Sequence, residues 1–262
     1  MIKAMNTAAT GMVAQQMNID NIANNLSNVN TTGFKKARLE FQDILYQNYR
    51  KAGTASATGA TVPVSLDIGY GTRAVATARQ FSSGSVTVSG NATDLAIGGD
   101  GFFQVEMPDG TTAYTRDGSF KLSADGVLVT ADGFPVMPTV TIPEDATELS
   151  VTIDGQVSVK IIGNETPQQI GQLELARFIN PAGLSAVGHN LYTETVASGT
   201  PITGIPASEG LGRIDQGALE SSNVSVVDEM VNMIMAQRSY EINSKVIQTS
   251  DEMSQTTNNI KR

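Results

Sequence analysis

His189 is the one histidine in a chain of 262 residues that contains no cysteine. A Ser-His-Asp arrangement would have to be built on that single imidazole. It sits in NPAGLSAVGHNLY, a stretch with the composition of a loop. A zinc centre needs several His or Cys ligands and cannot be assembled from these residues. Thiolate chemistry and disulfides are excluded outright. Carboxylates are plentiful instead, with seventeen acids between residues 71 and 220. At that density, pairs at the separations used by glycosidases arise by coincidence and signify nothing. Six of the aspartates are followed by glycine, at 100, 109, 117, 125, 132 and 154, without the Asp-x-Asp-x-Asp-Gly order of a calcium loop. Gly69-Tyr70-Gly71 and Gly98-Gly99-Asp100-Gly101 lack the phosphate-loop fingerprint and read as bends where two backbones come close. The reading assigns no catalytic residue, no cofactor-binding residue and no metal ligand. Function then has to come from surfaces and from the elements that present them.

Composition supports that direction. Apolar residues make up 40% and aromatics 5%, without tryptophan, so any core is built from Val, Ile, Leu, Ala and Met. The net charge of −9 is concentrated in the middle: residues 1–70 carry +2, residues 71–220 carry −10 and residues 221–262 carry −1. An acidic solvated surface disfavours nucleic acid and anionic lipid as partners. Lys35, Lys36 and Arg38 form the only basic cluster and read as solvated charges just past a helix. No window approaches the roughly 20 apolar residues of a membrane span, so no membrane insertion is expected. MIKAMNTAATGMVAQQ lacks a continuous apolar run behind Lys3, which predicts no cleaved signal peptide.

Both ends of the chain read as amphipathic helices. Met5, Met12, Ile19 and Leu26 fall seven apart, with Ala8, Ile22 and Val29 on the companion positions. This is the narrow a/d stripe of a helix that packs on other helices. Between Lys3 and Lys35 the only charge is Asp20. Asn, Gln, Thr and Ala replace the usual charged outer face, which suits a setting crowded on several sides. The helix runs into NNLSNVNTTGFKK at 24–36, and its Ser-Asn-Val is echoed at Ser222, Asn223 and Val224. Beyond the echo, Ser225 and Asp228 form a weak capping box. Val227, Met230, Val231, Ile234 and Met235 then open an apolar stripe that Ile242, Val246, Met253 and Ile260 continue. A helix of about 30 residues needs a packing partner, and the obvious one is the opposite terminus, together with other copies of the chain. The two tripeptides are expected close together in the folded subunit.

The middle reads as β. The first five Asp-Gly pairs recur at intervals of seven to nine residues, the spacing of short antiparallel strands joined by tight turns. LSVTIDGQVSVKI, 149–161, is the clearest hairpin, and GQLELARF, 171–178, is a further strand. Residues 52–63 and 198–212 read as linkers. Phe34, Phe41, Ile44, Leu45 and Tyr49 suggest a short second helix. The predicted organisation is α+β: terminal helical regions 1–33 and 224–262 packed as a coiled-coil-like pair, a connector 34–73, and a central, mainly antiparallel β domain 74–223.

IANNLSNVNTTGFKK (22–36) and SSNVSVVDEMVNMIMAQRSYEINSKVIQTSDEM (221–253) together resemble the bacterial flagellar rod and hook family. LAIGGDGFFQV (95–105), PDGTTAYTRDGSF (108–120), LVTADGFPV (128–136) and NPAGLSAVGHNLYTET (180–195) look like its shared β-domain motifs. Asn24, Asn25, Asn28, Thr32, Gly33, Phe34, Ser222, Asn223 and Val224 carry the two end motifs. Ser27 and Met5 depart from the residues common in the family without breaking the heptad. The chain leaves little room for the further outer domain of hook proteins. Residues 46–73 are similar in position and length to the extra stretch of the member that forms the distal rod, with a proximal rod member as the alternative. The resemblance implies a non-enzymatic structural subunit without cofactor, exported by the flagellar type III apparatus without signal cleavage. It implies a helical homopolymer in the basal body, spanning the periplasm and passing motor torque to the hook. Partners implied are proximal rod proteins, hook protein and the surrounding peptidoglycan and outer-membrane ring proteins.

Overall fold

The computed structural model describes residues 2–54, 62–162 and 166–260. The chain divides into two compact units. One unit gathers residues 1–26, 37–78 and 225–262; the other gathers 27–36 and 79–224. The expected architecture of terminal helices around an antiparallel β domain is present.

In the first unit, α1 spans Ile2–Ser27 and α2 spans Val226–Ile260. They run antiparallel. Gly11 lies against Asn243, and Asn25 hydrogen-bonds Glu229, so fourteen residues forward on one helix correspond to fourteen backward on the other. The seam is not the Met5, Met12, Ile19 and Leu26 row of the predicted heptad, whose companion residues Ala8 and Ile22 are the ones buried. The residues of α2 that are buried are Glu229, Ala236 and Ser250, which with Asn243 recur every seventh position. The same offset sets Asn18 level with Ala236 and Ala4 level with Ser250. Gly11, Asn18 and Asn25 therefore form the seam of α1, one position before Met12, Ile19 and Leu26. Small and amide side chains let the backbones approach closely, and the Asn25 amide bridges the two helices by donating to Glu229.

Residues 37–49 correct the expectation of a second helix. They form β1 (Ala37–Asp43) and β2 (Tyr46–Arg50), which pair with β4 (Thr72–Arg79) and β3 (Leu66–Gly69) respectively. Phe41, Leu45 and Tyr49, which would be a helix stripe, are exposed here. Cross-strand hydrogen bonding outweighs a helical pattern only a few residues long. Lys3 donates to Gln47 and to the Tyr49 hydroxyl and sits 4.9 Å from the Tyr49 ring centroid, joining the start of α1 to β2. The connector proposed at 52–63 falls largely on residues 55–61, outside the described residues.

In the second unit all strand pairings among the described residues are antiparallel. The main sheet runs Ser185–Gly188, Leu191–Thr193, Thr112–Thr115, Phe102–Glu106, Leu175–Arg177, Ile202–Gly204, with Val136–Met137 also on Phe102–Glu106. The hairpin read at 149–161 forms with Leu149 opposite Val159 and Val151 opposite Val157. Val151, Val157 and Val159 enter the main core with Phe103, Leu175 and Ile214. Five of the six Asp-Gly glycines take positive φ. The exception, Gly118, is needed for space, because a side chain there would overlap the Leu95 carbonyl. Residues 198–212 are not a linker: Ile202–Gly204 adds a strand to the sheet and Leu211 is buried in the core.

Candidate assembly surface and chain clasp

The apolar stripe of α2 is left uncovered. At about 100° per residue, Val227, Val231 and Ile234 lie on the side of α2 opposite Glu229, Ala236, Asn243 and Ser250, while Ile242, Val246, Met253 and Ile260 run along one flank of that seam. Val231 is 50% and Ile234 56% exposed; Met230, Met235, Val246 and Ile260 are exposed as well. Of the two kinds of packing partner expected for α2, the chain's own α1 is met through the seam residues, and the apolar side chains of the stripe stay exposed. On α1, Ile22 is buried, while Met5, Met12, Ile19 and Leu26 are half-buried. Val13 and Met17, outside the predicted heptad, are exposed. They line a groove of about 430 Å³ between α1, Ile44 and the start of β4.

At the end of α1 the asparagines have defined work. Asn25 is 2% exposed. Its amide donates to the Ala37 carbonyl at 2.9 Å and to Glu229 at 3.3 Å, and its carbonyl accepts from the Ala37 N–H at 3.0 Å. Asn21 donates to the same carbonyl at 2.8 Å. Two neutral side chains thus fix the first residue of β1.

In the β unit the returning chain meets the departing one. The Gly33 N–H donates to the Glu220 carbonyl at 2.8 Å, and the Asn223 N–H to the Phe34 carbonyl at 3.4 Å. Asn223 accepts from the Lys36 N–H at 2.8 Å and donates to Gln80 at 2.8 Å. The echoed tripeptide is therefore held by residues 34–36, five or more residues after Val29, the last residue of the first copy. Val224 and Phe34 are buried, Ser222 and Asn28 half-buried, and Asn24 exposed. Thr32 donates to Asp117 at 2.8 Å. Gly33 has φ of +66°, and a Cβ there would lie 2.6 Å from the Arg116–Asp117 peptide.

Beneath this crossing lies a buried ionic cluster that reverses the reading of Lys35 as solvated. Lys35 is fully buried, and Glu220 and Arg116 nearly so. The Lys35 ammonium donates to Glu220 Oε1 at 2.6 Å and to the Ser82 carbonyl at 2.9 Å. Arg116 donates to Glu220 Oε2 at 3.3 Å and to the Gly99 carbonyl at 2.8 Å. The Gly84 N–H also donates to Oε1 at 2.8 Å. Burial pushes the Lys35 ammonium below its usual range, and Glu220 draws it part of the way back. Burial also lowers the Arg116 guanidinium, again opposed by Glu220. No local pattern marks this cluster, because its members stand at positions 35, 116 and 220 of the chain. Among the described residues no group of His, Asp and Glu could hold a metal ion, and no helix is long and apolar enough to cross a membrane. His189 lies in the open, with Asp132 at 3.2 Å.

Residues 5–35 match the model "Flagella basal body rod protein", residues 96–159 "Flagellar hook protein FlgE/F/G D1 domain", and residues 215–260 "Flagellar basal body rod FlgEFG protein C-terminal". The chain is 55% identical to the flagellar basal-body rod protein FlgG of Borreliella burgdorferi and 41% identical to that of Bacillus subtilis, over the full length of both partners in each case. It belongs to the FlgG family of flagellar basal-body rod proteins. The flagellar basal-body rod protein FlgF of Caulobacter vibrioides is more distant, at 34% identity over 90% of this chain and 88% of its own length. The two end segments matched in the FlgG family contain the features just described: 5–35 holds the α1 seam, Asn25 and Lys35, and 215–260 holds Glu220, Asn223 and the uncovered stripe of α2.

Proposed function

We propose that this protein is a non-enzymatic structural subunit of the distal part of the flagellar rod, where copies self-assemble into a helical tube that carries motor torque to the hook. The observation that supports this reading most directly is the nine-residue apolar stripe of α2, exposed along a helix of 35 residues. A surface of that length is covered only by another chain. In a tube it supplies a repeated lateral contact. The exposed aromatic and apolar side chains of β2 and β3, Tyr46, Tyr49, Leu66 and Ile68, extend the available surface. Kinship with FlgG proteins at higher identity than with FlgF supports the distal position. On this reading the tube meets proximal rod subunits at one end and hook subunits at the other. Ring proteins of the peptidoglycan and outer membrane surround it, and the chain is exported without a cleaved signal.

Sedimentation and micrographs of concentrated protein test the proposal. Replacing Ile234 by Asp should raise the concentration needed for polymer by about tenfold or more, since burying one such side chain is worth about 1.5–3 kcal/mol. The melting temperature of the isolated subunit should not change, because Ile234 is exposed there. Polymer formation unaffected by that substitution would remove the stripe from the mechanism. Clearing of a peptidoglycan zymogram by the purified protein would contradict the absence of catalysis.

A further inference from the structure

The first unit exposes two apolar surfaces that one chain cannot bring together. One is the α2 stripe. The other is the groove of about 430 Å³ beside α1, whose apolar wall is Val13, Met17 and Ile44 and whose rim carries Arg73. Val13 is 53% and Met17 46% exposed. At about 100° per residue, Val13 and Met17 point well away from the seam residues Gly11, Asn18 and Asn25. The groove therefore opens away from the chain's own α2. Val227, Val231 and Ile234 of the stripe in turn point away from α1. Each subunit exposes a donor and an acceptor of unlike shape.

We propose that residues 227–235 of α2 in one copy dock into the groove formed by Val13, Met17, Ile44 and Arg73 in the next. This rests on the assembly reading above and adds which surface meets which. Apolar character matches on both sides. Charge matches too: Asp228, exposed beside Val227 and Val231 on the first turn of α2, meets the cation Arg73 at the groove rim. A contact between unlike patches does not close on itself, so each docked copy presents a fresh stripe and a fresh groove, and the series continues. Stripe-to-stripe packing would instead be isologous and would stop at a dimer.

The absence of cysteine makes the contact readable by disulfide trapping. Met17→Cys and Val231→Cys are prepared as separate full-length chains, mixed under polymerising conditions and oxidised. Mixed disulfide dimers should exceed those of either variant alone by about tenfold, as expected where a specific contact is favoured by about 1.4 kcal/mol or more. Adding Arg73→Asp to the Met17→Cys chain should cut the yield by about fivefold, the effect of a rim charge pair of about 1 kcal/mol. Adding Asp228→Arg to the Val231→Cys chain should restore it. Equal trapping by Val231→Cys alone would overturn the proposal in favour of stripe-to-stripe pairing. Sedimentable polymer without mixed disulfides would overturn it while leaving the assembly reading intact. Absence of polymer from the unaltered chain would defeat both.

Discussion

Replacing Glu220 by glutamine keeps the shape of the side chain and removes the anion to which both Lys35 and Arg116 donate. Lys35 is fully buried and the other two almost so. The substitution leaves two buried cations with carbonyl partners, Ser82 for Lys35 and Gly99 for Arg116, and no hydrogen-bonded counter-charge on either; only Asp100 still acts on them, through its field. Breaking a buried pair by removing one partner costs about 3–5 kcal/mol. For a unit of roughly 150 residues each kcal/mol lowers the melting temperature by about 2–4 °C, which gives a drop of about 6–20 °C by calorimetry. The pH dependence carries the more specific signature. A base whose folded pKa lies below its unfolded value is protonated more in the unfolded chain, so stability rises with pH until the ordinary lysine value of about 10.4 is passed. Glu220 raises the Lys35 pKa within the folded protein. Its loss lowers that value further, so the deficit of Glu220→Gln relative to the parent should be largest near neutral pH and shrink toward about pH 10. Adding Lys35→Met to Glu220→Gln should cost less than the two single changes summed, because the second removes a charge the first has stranded. A loss below about 1 kcal/mol, or a deficit that does not change with pH, would refute the account of the cluster as mutually compensating charges.

Two further substitutions probe the ends of the same stretch. Asn25→Ala removes three hydrogen bonds from a buried site and should destabilise the helical unit by about 1–3 kcal/mol, with faster hydrogen exchange at the Ala37 amide. Gly33→Ala forces a side chain into positive φ and against the Arg116–Asp117 backbone, which cannot yield; a melting curve should report a loss of at least about 1–3 kcal/mol.

The fold class was legible because its signals are local. Asp-Gly pairs at short intervals mark turns wherever the strands end up, and an uninterrupted periodic segment from residue 226 onward marks a long helix. Two local readings failed for the same reason, competition from partners distant in sequence. Phe41, Leu45 and Tyr49 have helical spacing, but β4 and β3 are available to pair with their segments. Residues 198–212 look like a linker, yet Ile202–Gly204 finds Leu175–Arg177. Lys35 next to Lys36 looks like any exposed basic pair until residue 220 supplies an anion and Ser82 a carbonyl.

What the sequence determined by itself was which residues must be covered: the apolar positions of both helices, at a periodicity that 3.6 residues per turn fixes regardless of surroundings. It could not say what covers them. Only the tertiary structure decided that α1 and α2 meet through Gly11, Asn18 and Asn25 on one side and Glu229, Ala236, Asn243 and Ser250 on the other, with the α2 apolar stripe left exposed. The physical reason is that a seam is chosen by how closely two backbones can approach with every buried polar group satisfied, and that is a property of the pair. Small side chains and amides meet the condition within one chain and leave the hydrophobic surface of α2 free for the next.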